Sequence, residues 1–290
     1  MQRHERGEAD VVTRGRRALW LLAILAAALA ANPAAAGGRG HNKELFVVPV
    51  PGEVEIDGSL EDWDFSGYVT NYIVAATKAT RSADLAMMYD DEALYVGGRV
   101  RDSSPMMNRH DPLTDPGRAW DADVCQIFFS LDPDEKLPLK YTRWDKKHRG
   151  APLGTMMLWY FTDRKEPALL LVKVMTGKGP LRPDLHENGH IPSGHFDAAY
   201  RKADDGLGYV FEYRIPWATL PMKRVPGPKD TLGATVAVFW SRPDGLKTGG
   251  GGSWSYNIMA KPGFPWQSAA CWGTLRFMPE GDIRREWVEG

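Results

Sequence analysis

His186-Glu187-Asn188-Gly189-His190 has the spacing of a zinc-hydrolase motif, in which two imidazoles hold the metal and the carboxylate is the general base. That chemistry needs both histidines on one face of a helix. Pro183 before the motif, Gly189 inside it, and Pro192 and Gly194 after it all oppose a helix there. A solvated loop is the simpler expectation, with metal-dependent hydrolysis as the alternative. Glycoside hydrolysis would need two carboxylates at a set separation across a cleft, and no pair stands out among the 37 Asp and Glu. No convincing nucleophile elbow or phosphate-binding loop is present. Cys125 and Cys271 are the only thiols. They could pair across a long loop, worth about 4–5 kcal/mol, or serve as small buried hydrophobes. The remaining chemistry is non-covalent: a rigid Trp ring offers the C–H face of a sugar a large contact at little entropic cost. Trp120 follows Pro-Gly-Arg-Ala and Trp266 follows Gly-Phe-Pro, so both fall in loops. Trp63, Trp217, Trp240 and Trp272 fall in or beside strand-like segments and read as core.

The elements that must position these residues are strands. Of 290 residues, 43% are hydrophobic and 25% charged, the range of a globular chain. Thirty Gly and 21 Pro argue for many turns and against a helical bundle. Strands are expected near Val54–Asp57, Ala83–Tyr89, Ala93–Arg101, Val124–Leu131, Thr155–Thr162, Leu169–Met175, Tyr209–Ile215, Ala234–Trp240, Trp254–Met259 and Cys271–Met278. Asp90-Asp91-Glu92 would make a tight hairpin turn. The pattern predicts an all-β protein, a jelly-roll-like β-sandwich in which Pro133–Asp205 forms a partly inserted elaboration. Residues 1–36 read as a signal peptide: five Arg against three acids in 1–17, a 14-residue apolar run over 18–31, and Ala34-Ala35-Ala36. Residues 37–44 would be a short linker, 45–278 the sandwich and 279–290 a tail. Export to the periplasm or the extracellular space follows, with no membrane anchor after cleavage. The formal charge of −1 gives no electrostatic reason to expect nucleic acid as a partner.

Five segments, taken in order, resemble family 9 carbohydrate-binding modules: IDGSLEDW (Ile56–Trp63), MMYDDEALYVGGRVRD (Met87–Asp102), AWDADVCQIFFSLDP (Ala119–Pro133), GYVFEYRIPWATL (Gly208–Leu220) and PWQSAACWGTLRF (Pro265–Phe277). The resemblance implies a β-sandwich that binds sugar without cleaving it, in the service of carbohydrate breakdown. It places two aromatic platforms, one on each side of the sugar, at Trp120 and Trp266. It also places a polar contact at Gln126, where the family pattern has Glu. The usual Asn three residues before the second Trp is Gly263 here. The family's recognition Arg has no counterpart, because its strand reads MMLWYF. Arg143 and Arg149 are nearby cations in a segment without precedent, and neither is assigned. Structural calcium in some relatives makes Asp57, Asp102 and Asp123 candidate oxygen ligands, although turn capping explains them equally well. Haem b held by Met and His in related sandwiches makes Met106, Met107 and His110 a rival site for electron transfer, although no CxxCH attachment site is present.

Overall fold

The computed structural model describes residues 42–283, except 149, 176–178 and 250–252. The expected leader lies outside these residues, as do most of the linker and the end of the tail. The fold is all-β. Its strands are β1 (Glu44–Pro49), β2 (Val69–Tyr72), β3 (Ser82–Tyr89), β4 (Ala93–Arg101), β5 (Val124–Ser130), β6 (Leu153–Phe161), β7 (Glu166–Lys173), β8 (Asp197–Lys202), β9 (Gly208–Pro216), β10 (Thr231–Phe239), β11 (Trp254–Asn257) and β12 (Gly273–Phe277). Helix among the described residues is confined to short 3-10 turns, such as Pro116–Asp121 and Ala269–Cys271, and none is long and apolar enough to cross a membrane.

The strands form one hydrogen-bonded path, β7-β6-β5-β10-β12-β1-β3-β4-β9-β8, with β11 added on β10 and β2 on β3. β1 lies parallel to β12 and β3, whereas the other pairs are antiparallel. Twist curls the path back on itself. Tyr213 of β9 reaches the far arm, its hydroxyl donating to the Ala168 carbonyl of β7 at 2.9 Å, and the Tyr160 and Tyr200 rings meet at 5.5 Å. Enclosed between the arms is the main core, where Leu45, Met87, Val96, Ile127, Met156, Leu171, Phe211 and Val236 meet. Two further clusters lie on the outer faces under loops. One joins Val48, Met88 and Tyr95 to Leu60 and Trp63, and the other joins Val124, Phe128, Met157 and Phe239 to Ala119, Leu139 and Trp272.

Asp90 makes the hairpin between β3 and β4 as expected: its Oδ1 accepts from the backbone of Glu92 at 2.8 Å and Ala93 at 2.7 Å. Val54–Asp57 is not a strand. Asp62 accepts from the Glu55 N–H at 2.7 Å, Asp57 accepts from Ser59, and the segment lies as a loop on the outer face with Val54 and Ile56 half-buried. β1, β2 and β8 are additional to the expected strands. β8 reads DAAYRK, too polar to show alternation, because it is an edge strand with every side chain at least partly exposed. Residues 133–205 supply β6 and β7 at one end of the sheet and β8 at the other.

Candidate functional site

The outer cluster built on β5, β6 and β10 carries the loops that hold the candidate platforms. Trp120 lies in the 3-10 turn Pro116–Asp121, whose neighbour Ala119 is fully buried in that cluster. Buried Asn108 fixes the turn, its amide donating to the carbonyls of Ala119 at 2.9 Å and Asp123 at 3.0 Å. Trp266 lies in the loop between β11 and β12. Buried Trp272 anchors that loop from below by donating its Nε1–H to the Pro265 carbonyl at 2.9 Å while its ring packs 5.8 Å from Phe128. Both platforms are exposed, Trp120 at 43% and Trp266 at 38%, whereas Trp63, Trp159, Trp217, Trp240 and Trp272 are buried.

Gln126 sits on β5 between Ala237 of β10 and Met157 of β6, on the same strand face as Val124 and Phe128. It is 94% buried (6% exposed), and among the described residues no hydrogen bond engages its amide. The amide can both donate and accept. Gly263 is bare for a steric reason, because a Cβ there would lie 2.8 Å from Cys271 Cβ and 3.0 Å from its Sγ.

The structure adds Trp144 and Phe264, which the sequence did not single out, and gives a place to Arg143, which it left unassigned. Trp144 is 71% exposed, the most open large hydrophobic side chain among the described residues. Arg143 stands between two rings, its guanidinium carbon 5.6 Å from the Trp144 centroid and 5.6 Å from the Trp266 centroid. Phe264 meets Trp266 edge-on at 6.3 Å. The β5–β6 connection is tied to this loop by Arg143 N–H to Gln267 O at 2.8 Å and Ala269 N–H to Tyr141 O at 2.9 Å. Trp266 therefore has Arg143 and Phe264 as its neighbours, and Trp120 makes no ring contact among the described residues. The signal for Trp144 was its company, an aromatic inside Lys140–Lys147 where nothing alternates as a strand does.

The rival constellations do not assemble. His186–His190 lies in turns rather than a helix, with Gly189 at φ +89°. His186 Nδ1 accepts from the Asn188 N–H at 3.3 Å, Asn188 Oδ1 accepts from the His190 N–H at 2.9 Å, and burial lowers the His190 pKa. His110 of the supposed haem set is buried with both ring nitrogens taken, Nδ1 by Asp115 at 2.8 Å and Nε2 by the Leu246 carbonyl at 3.2 Å. Met106 is buried beside it in the main core. The aspartates do not fit calcium as a set. Asp57 caps Ser59 on an exposed loop, and both Asp123 oxygens accept backbone N–H groups, from Met107 at 2.8 Å and Ser241 at 2.6 Å. Among the described residues no group of three or more His, Cys, Asp or Glu could hold a metal.

No protein-family model matches the chain, and no curated protein does. Solved structures do. A carbohydrate-binding module of family 9 from Caldicellulosiruptor kristjanssonii, in complex with glucose, aligns at TM-score 0.51 and 19% identity, covering 83% of this chain and 99% of its own. A family 9 module from the same organism in complex with cellotriose aligns at TM-score 0.50 and 17% identity, covering 83% of this chain and 96% of its own. The chain has a fold like that of family 9 carbohydrate-binding modules.

Proposed function

We propose that this chain is a carbohydrate-binding protein that takes a sugar against the exposed rings of Trp120 and Trp266, with the Gln126 amide contacting its hydroxyls. One observation carries the reading: Trp120 and Trp266 are exposed in loops whose neighbours Ala119, Ala269 and Trp272 are buried in one outer cluster. Exposed rings on a rigid scaffold are suited to pyranose C–H faces, and an unpaired amide both donates and accepts. Likeness of fold to modules described with glucose and cellotriose supports the same reading. Binding rather than hydrolysis is its activity, exerted outside the cytoplasm after removal of the leader and in the service of polysaccharide breakdown. Calorimetry of the purified chain against a glycan panel tests it. A dissociation constant on the order of 10 μM to 1 mM, about −7 to −4 kcal/mol, is expected for at least one oligosaccharide. No heat from any glycan would overturn the reading.

A further inference from the structure

Over residues 136–148 the β5–β6 connection carries Lys136, Lys140, Arg143, Lys146 and Lys147 against the single acid Asp145. The facing loop, residues 259–268, adds Lys261 and no acid. Several cations elsewhere are paired, Arg101 with Asp205, Arg109 with Asp163, Arg182 with Asp184, Arg214 with Glu92, and Arg224 with Asp134 and Asp230, whereas others, such as Lys78, Arg99 and Lys202, form no ion pair among the described residues. Among the described residues none of the six loop cations forms an ion pair. Asp145 does little to offset them, because it serves its own loop, capping the Lys147 N–H at 2.9 Å and lying 3.7 Å from His148 Nε2. Of the acids just before this stretch, Asp132 and Asp134 pair with Lys223 and Arg224 and Glu135 accepts from the Tyr141 hydroxyl, so the two loops that carry exposed Trp144 and Trp266 hold an excess of positive charge although the chain as a whole carries −1.

On these loops Arg143 is pre-positioned. Its guanidinium lies 5.6 Å from each of two ring centroids, and its backbone is tied to Gln267. Among the described residues no side-chain acceptor engages its guanidinium N–H groups, which stay available to a ligand. A planar fork of donors matches a carboxylate in two parallel bonds. Rings that already restrict the side chain reduce the entropy it loses on binding. A neutral sugar would offer this cation hydroxyl acceptors but no countercharge.

We propose that the sugar taken by this face is a uronic-acid unit of an anionic polysaccharide, with its carboxylate on Arg143, one face on Trp266, and the surrounding lysines attracting the rest of the chain. This rests on the carbohydrate reading above and names the class of ligand within it.

The test is calorimetry of the purified chain with an oligogalacturonide, a cello-oligosaccharide of equal length and a sulfated galactan fragment, at low and high salt. Binding of the oligogalacturonide on the order of tenfold tighter than the cello-oligosaccharide is expected, shrinking as salt rises. Arg143→Gln should cut the ratio of the two affinities several-fold, the lysines keeping a salt-sensitive remainder, and Trp266→Ala should weaken oligogalacturonide binding by roughly tenfold. Both side chains are exposed, so neither change should unfold the protein. Equal or tighter binding of the cello-oligosaccharide overturns the proposal and leaves the carbohydrate reading standing. Tighter binding of the sulfated fragment overturns the assignment of a carboxylate. Competition by duplex DNA as strong as by the oligogalacturonide, with Trp266→Ala silent, overturns it in favour of a general polyanion surface. Silence from every saccharide overturns both readings.

Discussion

Trp120, Trp266 and Gln126 divide the labour in a way that single substitutions can separate. Truncating either ring to Ala should cost about 1–3 kcal/mol of sugar affinity, since the contact area is lost. Melting temperatures should barely move, because neither exposed ring packs in a core; calorimetry and a thermal scan on the same samples check both halves. Gln126→Met keeps length and removes the polar atoms. With no protein partner lost it should leave stability unchanged or higher, while weakening sugar binding by about 1 kcal/mol. Asp102 and Asp123 obey a different logic. Burial raises both carboxyls above the usual 3.8, Asp123 further because it also faces the charge of Asp102. Asp102 Oδ2 is buried without a donor, and a proton on Asp123 aimed at it relieves repulsion and vacancy together. The native state thus binds more protons than the unfolded chain, so this pair's contribution is present at low pH and falls as pH rises from 3.8 through the raised values. Denaturation midpoints followed upward from pH 4 should show that fall, and Asp102→Asn should flatten it.

Among the elements, β9 does the most to hold loops in place. Glu212, fully buried in the β9 segment that carries the Glu-x-x-Ile-Pro-Trp resemblance, accepts from the Gly58 N–H and, at 3.0 Å, from Trp63 Nε1. It therefore clamps the loop of the Ile56–Trp63 segment onto the sheet rather than touching a sugar. Gly97 on the neighbouring β4 is bare so that the Trp63 ring can lie flat, for a Cβ there would meet the ring at 2.7 Å. Glu212→Gln exchanges one of two acceptors for a donor facing another donor, and should destabilise by about 1–3 kcal/mol in urea melts without changing sugar affinity. An unchanged midpoint would show that the clamp carries no weight.

For the molecule as a whole, the curled sheet decides the state of its thiols. Cys125 faces the enclosed core and Cys271 the outer cluster, so strands lie between them and they stay free even in an oxidising compartment. Burial pushes the Cys125 thiol up to about 12 and the Cys271 thiol up to about 11, and Cys271 also donates to the Ser268 carbonyl at 3.0 Å. Both should be silent to a thiol reagent in the native protein and titrate fully after denaturation, and a reductant should not shift the melting temperature. Fast native labelling of either would contradict the burial.

The sequence by itself determined the class of fold, because alternation in strands such as β9 and turn residues such as Asp90 act over a few positions and need no distant partner. It likewise set buried Trp63, Trp217, Trp240 and Trp272 apart from exposed Trp120 and Trp266, although Trp63 proves to lie in a loop, buried because β9 and β4 receive it. What it could not determine was anything set by closure of the sheet. Polar β8 is a strand because β9 pairs with it, and Cys125 and Cys271 are kept apart because the sheet runs between them. Glu212 looked like part of a motif and became a clamp only when β9 met the distant turn at Gly58. The Arg143–Trp144–Trp266 arrangement was likewise invisible, because it joins two loops more than a hundred residues apart in sequence, and only the folded outer face sets a guanidinium between their rings.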